Sequence, residues 1–172
     1  MPPFKVSRST LDDVDTHMRL YDEAIQLQQQ LGQTLWSPFE RERVVQEVVD
    51  GKQYKIIDEP SGEVAGVFLV EESDPAIWGE RDDEPSFYIH RITTNPQFRG
   101  NNLVNFMVDY LKEHAEGKKY IRMDTKTGNE KLIQYYTDRC GFSLAGTAVL
   151  REGPGLPKHF ESLDLILFEM KI

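Results

Sequence analysis

The chain has 172 residues, 39% of them hydrophobic and 28% charged, which suits one domain with a real core and excludes a disordered protein. Twenty basic against 29 acidic residues leave a net charge of −9, which argues against a nucleic-acid partner. A single cysteine, no apolar run near the ~20 residues of a membrane span and no secretion-signal layout point to a cytoplasmic protein with no membrane partner.

In chain order, a first helix is predicted after Thr10, where Leu11, Val14, Met18, Tyr21 and Ile25 recur at helical spacing until Gly32. Thr10 and Asp13 form a weaker version of a capping box. A second helix is expected from Ser37, with Pro38 in its first turn and Glu40 completing the box. Val44, Val45, Val48 and Val49 form its apolar stripe, and Gly51 ends it. Strand-like runs at 53–59 and 63–72 surround the turn residues Pro60, Ser61 and Gly62 and read as a hairpin. Residues 71–86 read as an acidic loop with Trp78 in the middle.

Ser86–Thr94 is a strand rich in β-branched and aromatic residues. A turn-rich stretch then opens a helix at 103–116, which Gly117 terminates. A strand at 119–125, a short helix at 129–139 and two closing strands at 142–150 and 160–172 complete the chain. The loop between the closing strands holds two Gly and two Pro. Helices and strands interleave, so the expected fold is a single α/β (α+β) domain with a mixed, twisted sheet flanked by helices. The segment from Ser86 to Thr125 is expected to be a right-handed crossover between parallel strands.

The chemistry concentrates at the junction Ile92-Thr93-Thr94-Asn95-Pro96-Gln97-Phe98-Arg99-Gly100-Asn101-Asn102-Leu103-Val104. A strand that ends in a loop and opens a helix aims free backbone N–H groups outward, at the positive end of the helix dipole. Arg99 adds a permanent cation, and Gly100 with the two Asn residues suits the turn conformations of an anion cradle. On these residues alone, a capped helix beside a loop arginine stands equally open. The chain contains no GxxxxGK[ST], no GxGxxG, no HExxH, no GxSxG and no Cys/His ligand spacing. Those absences leave P-loop, Rossmann, zinc-protease and serine-hydrolase readings without support, and no metal ligand is assigned.

The stretch IHRITTNPQFRGNNLVNFMVDYL resembles the acetyl-CoA-binding motif of the GNAT superfamily of N-acetyltransferases. Asn129-Glu130-Lys131-Leu132-Ile133-Gln134-Tyr135-Tyr136, followed by Cys140-Gly141-Phe142, is similar to the second motif of that family. The order of elements is similar as well, and a GNAT-like sheet of about six to seven strands is implied. The resemblance implies acetyl-CoA as co-substrate and direct acetyl transfer to an amine of a small molecule, peptide or protein N-terminus. It assigns the pyrophosphate to backbone N–H groups of Arg99, Gly100, Asn101, Asn102, Leu103 and Val104. It assigns the pantetheine arm to Ile92, Thr94 and Asn129, and protonation of the departing thiolate to Tyr136. Asn102 and Val104 replace the two motif glycines, so weakened or shifted pyrophosphate contacts are expected. The spacing from Tyr136 to Gly141-Phe142 is one residue longer than the family pattern, which makes Tyr135 a substitute candidate.

Other residues carry two readings each. His90 is placed to take the proton of the amine, against the commoner structural role of a lone strand histidine. Asn129 also suits a helix cap. Trp36 and Trp78 are candidates to line an acceptor pocket or to pack, and Glu84 is a second candidate base. Cys140 is read as packing against the sheet, with nothing nearby to lower its thiol pKa. A non-catalytic acyl-CoA-binding or regulatory module of the same fold is the alternative function. Homodimer pairing, seen in many relatives, would use a strand edge near the C-terminus.

Overall fold

The computed structural model describes residues 3–33, 36–151 and 162–172. Seven strands form one mixed sheet in the order β1-β2-β3-β4-β5-β7-β6. They are β1 Phe4–Arg8, β2 Gln53–Asp58, β3 Val64–Glu71, β4 Ser86–Thr94, β5 Tyr120–Lys126, β6 Ser143–Leu150 and β7 Leu163–Lys171. The helices are α1 Val14–Gln30, α2 Arg41–Val49, α3 Pro75–Trp78, α4 Leu103–Glu113 and α5 Glu130–Gln134. This is the α/β arrangement expected from the interleaved pattern. Among the described residues, no helix is long and apolar enough to cross a membrane. The Gly- and Pro-rich loop before β7 lies almost wholly outside the described residues.

The chain forms two compact units, one drawing on residues up to Leu69 and on Arg91–Met107, the other on Val70–His90 and the described residues from Val108 onward. In the first unit, β1, β2 and β3 pair antiparallel, with Val6 opposite Ile56 and Tyr54 opposite Phe68. β1 is an addition to the six strands read from the sequence. It is only five residues long, and its partner on β2 is far along the chain. The core of this unit joins Val14, Leu20, Tyr21, Phe39, Val44, Val48 and Val67. Each such burial contributes about 1.5–3 kcal/mol.

α2 starts later than Ser37 suggests. Its N-cap is Glu40, in extended backbone, and the buried Phe39 just before it packs against Tyr21, with ring centroids 4.9 Å apart. At the other helix, Thr10 N–H donates to Asp13 at 2.7 Å, as the capping box requires, and Asp13 also pairs with Lys55 at 2.8 Å. Gly66 marks where β3 meets its neighbours most closely. A Cβ there would lie 3.1 Å from the Thr93 carbonyl and 3.3 Å from the Leu103 side chain. This close approach seats the start of α4 beside the end of β4.

In the second unit, β4 and β5 are parallel, with Ser86 opposite Tyr120 and Ile89 opposite Met123. β7 lies antiparallel to both β5 and β6. The segment read as an acidic loop is ordered here by α3 and a following 3-10 turn, Gly79–Asp83. Trp78 is buried with Tyr88 and Leu167 and belongs to the core rather than to a pocket lining. Arg122, fully buried, is the hub beneath it. It donates to Glu84 at 2.6 Å, to Glu169 at 3.2 Å and to Tyr88 at 3.2 Å, and stacks 4.6 Å from the Trp78 ring.

Candidate functional site

The end of β4 and the start of α4 are built by one asparagine. Asn95 donates its backbone N–H to the Ala65 carbonyl at 2.8 Å and its side-chain amide to the Val64 carbonyl at 3.0 Å. Its Oδ1 accepts from Gln97 N–H, which caps a short 3-10 turn over Pro96–Phe98. The chain thus leaves the sheet at a fixed angle and presents Arg99, Gly100, Asn101 and Asn102 to solvent.

Gly100 has φ 84° and Asn102 has φ 53°, both in the left-handed region. The asparagine in place of a motif glycine therefore adopts the conformation a glycine would, as that residue type does more readily than others. The Asn101 side chain donates to the Phe98 carbonyl at 2.9 Å, so its own amide is turned inward and only its backbone N–H is offered. Leu103 and Val104 have buried side chains. Their backbone N–H groups, in the first turn of α4, have no acceptor within the helix. A valine here costs nothing sterically, because it points into the core and not at the loop. With the exposed Arg99 guanidinium alongside, this cradle fits a diphosphate. Ile92 and Thr94 precede it on β4, half-buried.

The second unit carries the titratable groups. The ladder between β4 and β5 ends at Ile89 and Met123, and the next residue of each strand is His90 and Asp124. Asp74, the N-cap of α3, makes no side-chain capping bond and turns to the same place. Its Oδ2 lies 3.1 Å from His90 Nε2, and Asp124 Oδ2 lies 3.8 Å from His90 Nδ1. Both carboxylate oxygens are buried and neither makes a well-directed hydrogen bond. Burial pushes the Asp124 carboxyl up to about 6, with the Asp74 charge adding to the effect and His90 opposing it. Burial pushes the His90 imidazolium down, but Asp74, Asp124 and Glu71 outweigh it and the net shift is upward.

The three side chains bring one donor atom each within 4.8 Å of one another. The carboxylates face opposite ring nitrogens, however. One ion cannot use both nitrogens of an imidazole, so the geometry suits a shared proton better than a cation. Sequence reasoning singled out His90 but missed Asp74 and Asp124, which no local spacing connects to it. Glu84, the other candidate base, is taken up by Arg122 at 2.6 Å, which holds its carboxyl below the usual range.

Tyr136 is 8% exposed and packs edge-on against Phe168, with centroids 5.3 Å apart. Burial raises its phenol well above the ordinary value, and Cys140, Tyr135 and Asp124 add to the shift. The half-buried Tyr135 is shifted the same way, by burial and by Cys140 beside it. Burial likewise raises the Cys140 thiol, so it is not an activated nucleophile.

Tyr135–Arg139 forms a single π-helical turn, in which Cys140 N–H donates to the Tyr135 carbonyl at 3.2 Å. One wide turn takes up one added residue without unwinding the helix. The extra residue before Gly141-Phe142 therefore has a place. Asn129 does cap α5, its Oδ1 accepting from Leu132 N–H at 3.2 Å, which leaves Nδ2 for other partners. Trp36 packs edge-on against Phe39 and donates its backbone N–H to Gln28 at 2.7 Å.

Residues 19–142 match the family model described as "Acetyltransferase (GNAT) family". No curated protein sequence matches the chain. Among solved structures, the chain is similar to a GNAT-family acetyltransferase from Listeria monocytogenes at 21% identity, TM-score 0.76, over 98% of this chain and 95% of that one. It is also similar to a ribosomal-protein-alanine N-acetyltransferase from Brucella melitensis, at 16% identity, TM-score 0.67, over 98% and 99% of the two chains. A third is NAA60 of Arabidopsis thaliana, solved with a bisubstrate analogue, at 14% identity, TM-score 0.70, over 98% of each chain.

Proposed function

The chain belongs to the GNAT family of acetyltransferases, enzymes that use acetyl-CoA, and from that premise we propose that it acetylates a primary amine by direct attack. The observation that carries the donor half is the loop ahead of α4, with Gly100 and Asn102 both left-handed and Arg99 exposed. Backbone N–H groups from Arg99 to Val104 hold the pyrophosphate, and the Ile92 and Thr94 backbone pairs with the pantetheine arm. Asn129 reaches the same arm through Nδ2, since its Oδ1 caps α5.

Acetyl-CoA, when bound, supplies a thioester acyl group. The attacking amine must be neutral, so its proton has to leave. His90, flanked by Asp74 and Asp124, takes that proton, and the two carboxylates stabilise the imidazolium that results. As the C–N bond forms and the C–S bond breaks, the Tyr136 phenol gives a proton to the sulfur. Its raised pKa keeps it protonated at neutral pH, as a donor must be. Tyr135 is the substitute donor.

The acceptor is a small molecule, peptide or protein N-terminus. The replaced glycines and the longer Tyr136 spacing are what favour the alternative, a CoA-binding module without turnover. Asn102 in the left-handed region and the π turn accommodate both. β6 ends the strand order and exposes Leu144 and Val149, which makes it the edge on which a second copy would pair.

A thermal-shift titration with acetyl-CoA, free CoA, ATP and NAD tests the donor site. At 100 times its dissociation constant a ligand adds about 2.7 kcal/mol, a rise of several degrees for a domain of this size. The rise is expected with the two CoA compounds alone and is lost in Arg99→Glu. Saturable CoA binding with no acetylation of any amine in a broad panel would establish the alternative.

A further inference from the structure

We infer that Arg91 is an anchor for an oxyanion on the acceptor, so that the amine substrate also carries a carboxylate or a group of similar shape and charge; this rests on the acetyl-transfer reading above. Arg91 lies in β4 with φ 50°, a conformation costly for any residue with a side chain and unusual inside a strand. Its side chain is 8% exposed. The guanidinium lies 4.7 Å from the Phe39 ring centroid and 5.6 Å from that of Tyr21. Nη2 donates to Glu47 Oε1. Nη1 is buried and makes no well-directed hydrogen bond, although the Tyr21 hydroxyl lies close to the guanidinium.

An orphaned donor on a buried cation is rare, because desolvating it without a hydrogen bond is costly. The charge around it is unbalanced in the same sense. Glu47 Oε1 is shared with Arg43 Nε at 3.0 Å, and Glu47 Oε2 accepts from Gln53 at 2.7 Å. One carboxylate thus answers two guanidiniums. His17, which feels the same cluster, is neutral at pH 7 and adds no charge of either sign. A chain of net charge −9 therefore keeps a local positive excess.

Tyr21 is the cluster hydroxyl that approaches the Arg91 guanidinium, and its oxygen is already engaged by its neighbours. Gln53, Tyr21 and His17 are tied in series, Gln53 to Tyr21 at 3.1 Å and Tyr21 to His17 at 3.4 Å, and Ser9 holds the far ring nitrogen at 2.8 Å. The covering segment on the Phe39 side, Trp36 to Glu40, is not helical. A planar guanidinium with one edge spent on Glu47 and an amino group left over matches an incoming oxyanion, and the aromatic rings hold it in plane.

The test pairs each common α-amino acid with its amide as acceptor, in acetyl-CoA turnover by wild type, Arg91→Lys and Arg91→Met. Wild type should favour an acid over its amide by at least about tenfold in kcat/KM. Arg91→Met should raise KM for the acid and erase that preference, while leaving the amide within about twofold; Arg91→Lys should fall between. An amide used as well as its acid by wild type, or equal losses on both in Arg91→Met, would overturn the inference. A second readout is independent of turnover and of folding margin: N-acetylated amino acids against their amides as thermal-shift ligands, for each variant against its own baseline. A shift with the acids, absent in Arg91→Met, keeps the subsite even if no amine is acetylated, in which case the transfer reading alone fails. No shift and no turnover would sink the subsite.

Discussion

Two histidines, the buried His17 and the half-buried His90, are pushed in opposite directions by their surroundings. His17 is fully buried on α1 and meets hydroxyls, with Ser9 Oγ at 2.8 Å and Tyr21 Oη at 3.4 Å. Burial dominates there and pushes its imidazolium down to about 4. His90 is also penalised by burial, but it faces Asp74, Asp124 and Glu71, and its net shift is upward. Burial alone therefore does not set the charge of a histidine. The groups in direct contact do: hydroxyls leave the imidazole of His17 neutral despite the more distant Asp13 and Glu47, whereas the carboxylates beside His90 favour its protonated form.

The largest effect that separates the two is on turnover. His90→Gln should lower kcat/KM for acetyl transfer by at least about 100-fold with its melting temperature little changed. His17→Gln should leave kcat within about twofold and lower the melting temperature instead. Equal loss of turnover in both would dissolve the distinction.

Next in size is the response to acid. The folded pKa of His17, about 4, lies below its unfolded value of 6.5, so its stability contribution is present above pH 6.5 and is lost as the pH falls toward 4. The loss is roughly 3 kcal/mol at most. Urea unfolding across this range should show the decline in wild type, and a flatter curve in His17→Gln.

The smallest effect sharpens the account of His90. A base must be neutral, and the carboxylates delay that by raising its pKa. Removing one charge in Asp124→Asn should therefore move the acid limb of the kcat/KM profile to lower pH, by about one unit. A limb that stays in place would assign the titration to another group.

Several elements were legible because their physics is local. The helix stops, the hairpin turn and the left-handed turn at Gly100 to Asn102 depend on residues within a few positions of one another. What local reasoning misplaced involved partners elsewhere. Ser37-Pro38 reads as a helix start until Phe39 is claimed by Tyr21. Phe4 to Arg8 becomes a strand only because β2 pairs with it. Glu84 reads as a spare carboxylate until Arg122 takes it.

The sequence by itself determined the turn ahead of α4. Arg99-Gly100, an asparagine able to turn left-handed and a helix opening at Leu103 are local features with the free backbone N–H groups an anion favours, while Asn95 fixes their exit from the sheet through Val64 and Ala65. Only the tertiary structure decided the charge of the two histidines and the lone buried amino group of Arg91. Those follow from which side chains the fold brings within a few ångströms, and electrostatic energy depends on distance in space and on exclusion of water. Neither is written in the spacing of residues along the chain.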